Sequence, residues 1–151
     1  MCRGYFLNDK PTISALVRSK RFPKINPVRF LIDTGADNTA LSLIDILRLG
    51  VMNVSEISDN TIDVAGISGR TTAYIIEDDV ELIFVDYSNR YSRFSVHIEI
   101  LPKIYVIPTL PISILGRDFL NRFEISYNKL SNEIILKRND FAEGLHYCFS
   151  L

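Results

Sequence analysis

The sequence predicts an all-β fold: a small closed or sandwich-like β-barrel carrying one or two short helices. Three observations lead there. Short runs rich in Val, Ile, Phe, Tyr and Thr recur along the chain, separated by Gly, Pro, Asn and Ser. Only residues 42–49 and 117–122 read as helix, and both are brief. No internal repeat at solenoid or propeller spacing appears, and no low-complexity linker divides the chain.

In order, residues 12–17 alternate in part and lead into a loop, 18–26, that contains Pro23 and ends at Pro27. The run 28–32 is apolar without alternation, which predicts a strand buried on both faces. Residues 42–49 place Leu43, Ile46, Leu47 and Leu49 near helical spacing, with Gly50 positioned as a C-cap. Runs 61–65 and 71–76 flank Gly66-Ile67-Ser68-Gly69, a hairpin pattern with glycines where a tight turn needs them. Two further strands, 80–86 and 92–101, join through Ser88-Asn89-Arg90, and another at 104–107 is stopped by Pro108. A helix at 117–122 follows. Runs 123–127 and 133–137 then flank Asn128-Lys129-Leu130-Ser131-Asn132 as a final hairpin.

A length of 151 residues fits one domain, with a core at about 12–137 and a tail at 139–151. Hydrophobic residues at 47% suffice for a sizeable core. A formal net charge of −1 gives no global basic field, so neither nucleic acid nor a membrane surface is expected as a partner. The local basic run Arg18-Ser19-Lys20-Arg21 has no interleaved aromatics for stacking on bases and reads as a solvated loop. Cys2 and Cys148 lie near opposite ends and form no disulfide framework; no Cys/His spacing suits zinc, and no metal or cofactor is expected. His97 and His146 stand alone, as strand or tail residues. The start, Met1-Cys2-Arg3-Gly4, shows no apolar segment after a basic one, and no apolar stretch approaches the length of a bilayer span. The expectation is a soluble cytoplasmic protein with reduced thiols.

Two stretches carry the chemistry. The first is Phe30-Leu31-Ile32-Asp33-Thr34-Gly35-Ala36-Asp37-Asn38-Thr39, an apolar strand that delivers a carboxylate at its tip. The tripeptide Asp-Thr-Gly alone also fits an ordinary Asx-type turn after a strand. The second is Ile114-Leu115-Gly116-Arg117-Asp118, an apolar pair followed by Gly and a short helix, preceded by Pro108-Thr109-Leu110-Pro111. Gly35 lacks a side chain, so its N–H can approach a carboxylate closely; Ile114 and Leu115 would pack beneath the Asp33 loop, and Gly116 allows close backbone approach.

Together these stretches, in this order, resemble the retropepsin-like aspartic proteases over about residues 12–137, which implies a closed barrel of that type. The resemblance implies an aspartic endopeptidase with one catalytic Asp per subunit, Asp33, in an Asp33-Thr34-Gly35 triplet. The Thr34 hydroxyl would bond across to a partner's loop. Ala36, Asp37 and Asn38 would line substrate, and Arg117 would pair with Asp37. Gly66, Ile67, Ser68 and Gly69 would form the tip of a hairpin closing over bound peptide. A single Asp-Thr-Gly implies a homodimer, with a peptide held extended across the cleft. Two carboxylates side by side share one proton, and aspartic proteases are a standard example of the effect. Three departures favour the cellular and prokaryotic branch over retroviral enzymes: the longer segment after Asp33, with its helix at 42–49; Asn38 in place of a second aspartate; and the full hairpin after the last helix. The rival reading is a non-catalytic module of the same fold that binds extended peptides. A more distant rival is an unrelated small β-barrel.

Overall fold

Burial with a period of two runs through the strands of the computed structural model, which describes residues 1–66, 69–86 and 93–139 and the backbone of 145–150. In β2 (Lys10–Arg18), Ile13, Ala15 and Val17 point into the core while Ser14 and Leu16 face out. In β3 (Asn26–Ile32), Val28, Phe30 and Ile32 are buried, whereas Arg29 is exposed and Leu31 half-buried. The expected two-sided burial of this strand is therefore corrected: only one face meets the core, and the apolar run reflects a half-open second face.

An N-terminal strand, β1 (Cys2–Leu7), joins β2 through Asn8 and Asp9, both at positive φ. That pair of left-handed residues closing a Leu7–Lys10 match is the geometry a tight hairpin requires. Ala40–Leu41 forms a two-residue strand, β4. Helix α1 (Leu43–Arg48) is capped by Ser42, whose Oγ accepts from the Asp45 N–H, and Gly50 follows it at φ +88. Ile46 and Leu49 are buried; Leu43 and Leu47 are exposed.

The remaining strands are β5 (Asn60–Gly66), β6 (Gly69–Ile76), β7 (Val80–Asp86), β8 (Arg93–Leu101), β9 (Ile104–Val106), β10 (Ser113–Leu115), β11 (Phe123–Asn128), β12 (Glu133–Arg138) and β13 (Leu145–Ser150), with helix α2 (Arg117–Leu120) after β10. The connection expected at Ser88-Asn89-Arg90 lies outside the described residues. The main sheet path runs β11-β12-β1-β7-β2-β3-β10-β4-β9-β6-β5, while β13 pairs with β8 and β8 with β7. Among the described residues this path has two free ends, β11 and β5, so the sheet is not closed and the expected closed barrel is not borne out. The chain is nonetheless mostly strand with few helices, as its composition predicts. No helix among the described residues is long and apolar enough to cross a membrane.

The core lies beneath β2, β3, β7 and α2. Phe84 and Phe119 meet at 5.4 Å between ring centroids, and Phe119 stacks on Phe123 at 4.8 Å. In the final hairpin, Ile134 and Leu136 are fully buried, whereas Ile125 and Tyr127 opposite them are 36% and 62% exposed. The hairpin is thus split: β12 belongs to the core and β11 is an edge. The tail strand β13 docks on the body through antiparallel pairing with β8.

Candidate active site

β3 and β10 lie side by side and parallel, with Phe30 opposite Ser113 and Ile32 opposite Leu115. Both strands therefore release their loops at the same end. The Asp33 N–H donates to the Leu115 carbonyl at 3.0 Å, which fixes Asp33 as the first residue beyond the ladder. Its carboxylate accepts the Gly35 N–H at 3.0 Å, and its carbonyl accepts the Ala36 N–H at 3.2 Å. The result is a tight turn that presents a half-buried carboxylate, with Thr34 and Gly35 exposed beside it.

The start of α2 backs this turn. Arg117 N–H donates to the Ala36 carbonyl at 2.9 Å and Asp118 N–H to the Asp37 carbonyl at 3.1 Å. A Cβ on Gly116 would fall 2.5 Å from the Asn38 carbonyl carbon, so only glycine admits this approach. Arg117 pairs with Asp37, as the resemblance implies, and also reaches the Thr34 carbonyl at 3.5 Å. Both charged partners are well exposed, so the pair is worth only about 0–1 kcal/mol.

Sequence reasoning missed a stronger tie. Thr39 is fully buried; its N–H and Oγ1–H both donate to Asp118, the hydroxyl at 2.7 Å, and its Oγ1 accepts the Gly116 N–H at 3.1 Å. Charge-assisted and part-buried, this network outranks the exposed surface pair as the brace of the Asp33 loop. The signal was present, since Thr39 and Asp118 close the two motifs, but only the fold reveals that they touch.

Of the apolar pair expected beneath the loop, Leu115 is fully buried in the core. Ile114 is not: strand alternation turns it toward an open cavity of about 740 Å³. Ala36, Asp37 and Asn38 line this cavity on one side, and Ile62, Val64, Ala65, Gly69 and Thr71 of the β5–β6 hairpin on another. Tyr105, Ile107 and Leu110 help to complete an apolar wall. Asp33 itself does not line the cavity; it stands at the head of the same turn. Gly66 pairs with Gly69 at the end of the hairpin, and Gly69 adopts φ +113. Ile67 and Ser68 lie outside the described residues. Among the described residues, no three His, Cys, Asp or Glu side chains converge on a metal-sized site.

Behind α2 lies a buried charge cluster that the sequence did not announce. The Glu99 carboxylate meets the His97 ring and accepts from Arg122 at 3.1 Å, and Arg138 lies 3.3 Å away. Burial pushes this carboxyl up, but the hydrogen bonds from His97 and Arg122 and the neighbouring positive charge prevail and hold it below its usual range.

Comparison with known proteins agrees with this architecture. The family model for retroviral aspartyl protease matches residues 7–128. Among solved structures, a retropepsin-like aspartic protease from Rickettsia conorii is similar, with a TM-score of 0.55 and 18% identity over 97% of this chain and 92% of that one. The EIAV protease complexed with the inhibitor HBY-793 gives a TM-score of 0.45 and 22% identity, over 78% of this chain and 90% of that one. No curated protein matches the chain. With the Asp33 turn, its Gly-Arg-Asp brace and a family match spanning most of its length, the chain belongs to the retroviral aspartyl protease family.

Proposed function

We propose that this chain is an aspartic endopeptidase active as a homodimer, each protomer supplying one Asp33. The observation that carries the reading is the position of Asp33. It is the first residue beyond a parallel β3–β10 pair, held by its own Gly35 N–H and braced from behind by α2. A carboxylate so fixed has one oxygen committed to the turn and one available to a symmetry mate.

Two such carboxylates facing each other cannot both ionise, so the dyad holds one proton. The ionised member takes a proton from a water between them, the water attacks the peptide carbonyl, and the protonated member donates to the carbonyl oxygen. The Thr34 hydroxyl bonds to the partner loop and keeps the two carboxylates coplanar. Substrate lies extended between residues 36–38 and the β5–β6 hairpin, where Ile62, Val64, Ile107 and Ile114 favour apolar side chains beside the scissile bond. The exposed edge β11 supplies much of the dimer interface.

Asp33→Asn keeps size and hydrogen bonding but removes the shared proton and the base. The expected outcome is loss of cleavage of a mixed peptide library between acidic and neutral pH, with fold and dimer retained. Wild-type specific activity falls on dilution through the dimer dissociation constant, and excess Asp33→Asn poisons it through heterodimers. Cleavage by the variant at the wild-type rate would refute the dyad. A dimer that binds extended peptides without cutting them would point to the binding-module alternative.

A further inference from the structure

The β5–β6 hairpin forms a wall of the cavity, yet little holds it from outside. β5 ends the sheet path, and β6 pairs with β9 only through Tyr74, Ile75 and Ile76. Farther out, Val64 and Ala73 touch a small apolar cluster with Ala40 and Tyr105, and Thr109 bonds to Thr71 at 3.3 Å. The direction in which the hairpin projects is therefore decided at its base.

One side chain occupies that base. Arg21, in the basic run read from the sequence as a solvated loop, is instead anchored at all three guanidinium nitrogens. Nη1 donates to the Ile57 carbonyl at 2.8 Å and Nη2 to Asp59 at 3.1 Å, both just before β5. Nε donates to Asp78 at 2.9 Å, just after β6. Asp59 in turn spans the two feet: its N–H donates to the Ile75 carbonyl at 2.9 Å, and its carboxylate accepts the Glu77 N–H at 2.8 Å. Lys20 adds a contact to Asp78 at 3.4 Å. The Arg21 loop is itself seated, through Ser19 and the buried Phe22.

A planar fork is the group this geometry requires. It holds three acceptors in fixed directions, whereas an ammonium is a point charge on a flexible stem. We propose that Arg21 is a positioning residue that clamps both feet of the β5–β6 hairpin and so sets the height of that wall over the Asp33 loop and the fit of the substrate beneath it. This rests on the protease reading for its effect on cleavage, but not for the clamp itself. The charge state of the clamp is constant near neutrality. Asp59 is held low by the Glu77 N–H and then by Arg21; for Asp78, burial pushes upward but the hydrogen bonds from Arg21 and the Asp79 N–H prevail.

The test is amide hydrogen exchange on the full chain, read peptide by peptide, beside steady-state cleavage of an apolar peptide. Arg21→Gln is expected to speed exchange in β5 and β6 by about tenfold, with β3 and β10 unchanged. KM is expected to rise several-fold while kcat moves less, and Arg21→Lys to recover only part of the loss. Asp78→Ala, which removes the Nε acceptor and leaves the arms to Ile57 and Asp59, must give the same local pattern at smaller amplitude. Unchanged exchange in the hairpin would overturn the clamp. So would an equal rise in β3 and β10, which would make Arg21 a contributor to global stability only. If the wild type cleaves nothing, the protease reading falls, and the exchange data still decide the clamp.

Discussion

At the residue scale, the two motifs divide their labour unequally. The pair Arg117–Asp37 was legible because both residues sit at matching motif positions, but exposed charges in water contribute little. Thr39 and Asp118 were not singled out, although every hydrogen-bonding group of the Thr39 side chain is used and buried. Asp118→Ala leaves the Thr39 N–H and hydroxyl without their acceptor and is expected to cost about 2–3 kcal/mol. Arg117→Ala is expected to cost under about 1 kcal/mol. Urea denaturation of both variants checks the order. A larger loss for Arg117→Ala would show that the exposed ion pair, not the part-buried network, braces the loop.

At the element scale, the final hairpin was legible from Asn128 to Asn132 and its flanking alternation, but its two strands proved to have different neighbours. β12 sits between β11 and β1, so Ile134 and Leu136 are core residues; among the described residues β11 pairs with β12 alone. Deleting everything after Arg122 would therefore empty part of the core as well as any interface. A surface change is the cleaner probe. If the proposed homodimer uses this edge, Ile125→Lys, which places a charge on it, is expected to shift the dimer to monomer by light scattering while leaving the circular dichroism unchanged. A dimer of undiminished affinity would place the interface elsewhere. Tyr127 meets Phe6 edge-on at 4.9 Å, so this edge is braced from within its own protomer.

At the scale of the whole molecule, Glu99 ties β8 to the end of α2 and to β12 through Arg122 and Arg138. Its folded pKa lies below the usual carboxylate value, so its contribution to stability is complete above about pH 4.3. That contribution is lost as pH falls through the depressed folded value. The melting temperature is expected to drop in that acid window. Glu99→Gln is expected to cost about 3–5 kcal/mol at neutral pH, because the half-buried Arg122 and Arg138 then face a neutral amide in place of the buried carboxylate. It should also flatten the acid slope. Among the described residues, Asp9, Asp59 and Asp78 are also held low and would keep part of the slope. A Glu99→Gln variant as stable as wild type at pH 7 would show that the cluster is not a structural tie.

The strand-rich architecture, the Asp33 turn and the close approach at Gly116 could be read from the amino acids because each rests on neighbours in the chain: periodicity, turn chemistry, the absence of a Cβ. Helix α1 was legible for the same reason, from the spacing over 42–49 and Gly50 after it, although Ser42 proved to be its cap and not its first residue. Partners distant in sequence could not be read this way. Nothing local says that Thr39 meets Asp118, that Ile114 turns to the cavity while Leu115 turns to the core, or that Arg21 reaches Asp59 and Asp78. Likewise, an apolar run at 28–32 does not reveal that one face of its strand stays half open, nor a set of short strands whether their sheet closes. Those outcomes depend on register and on which strands become neighbours. They were decided by the packing of the whole chain, which a single segment does not encode.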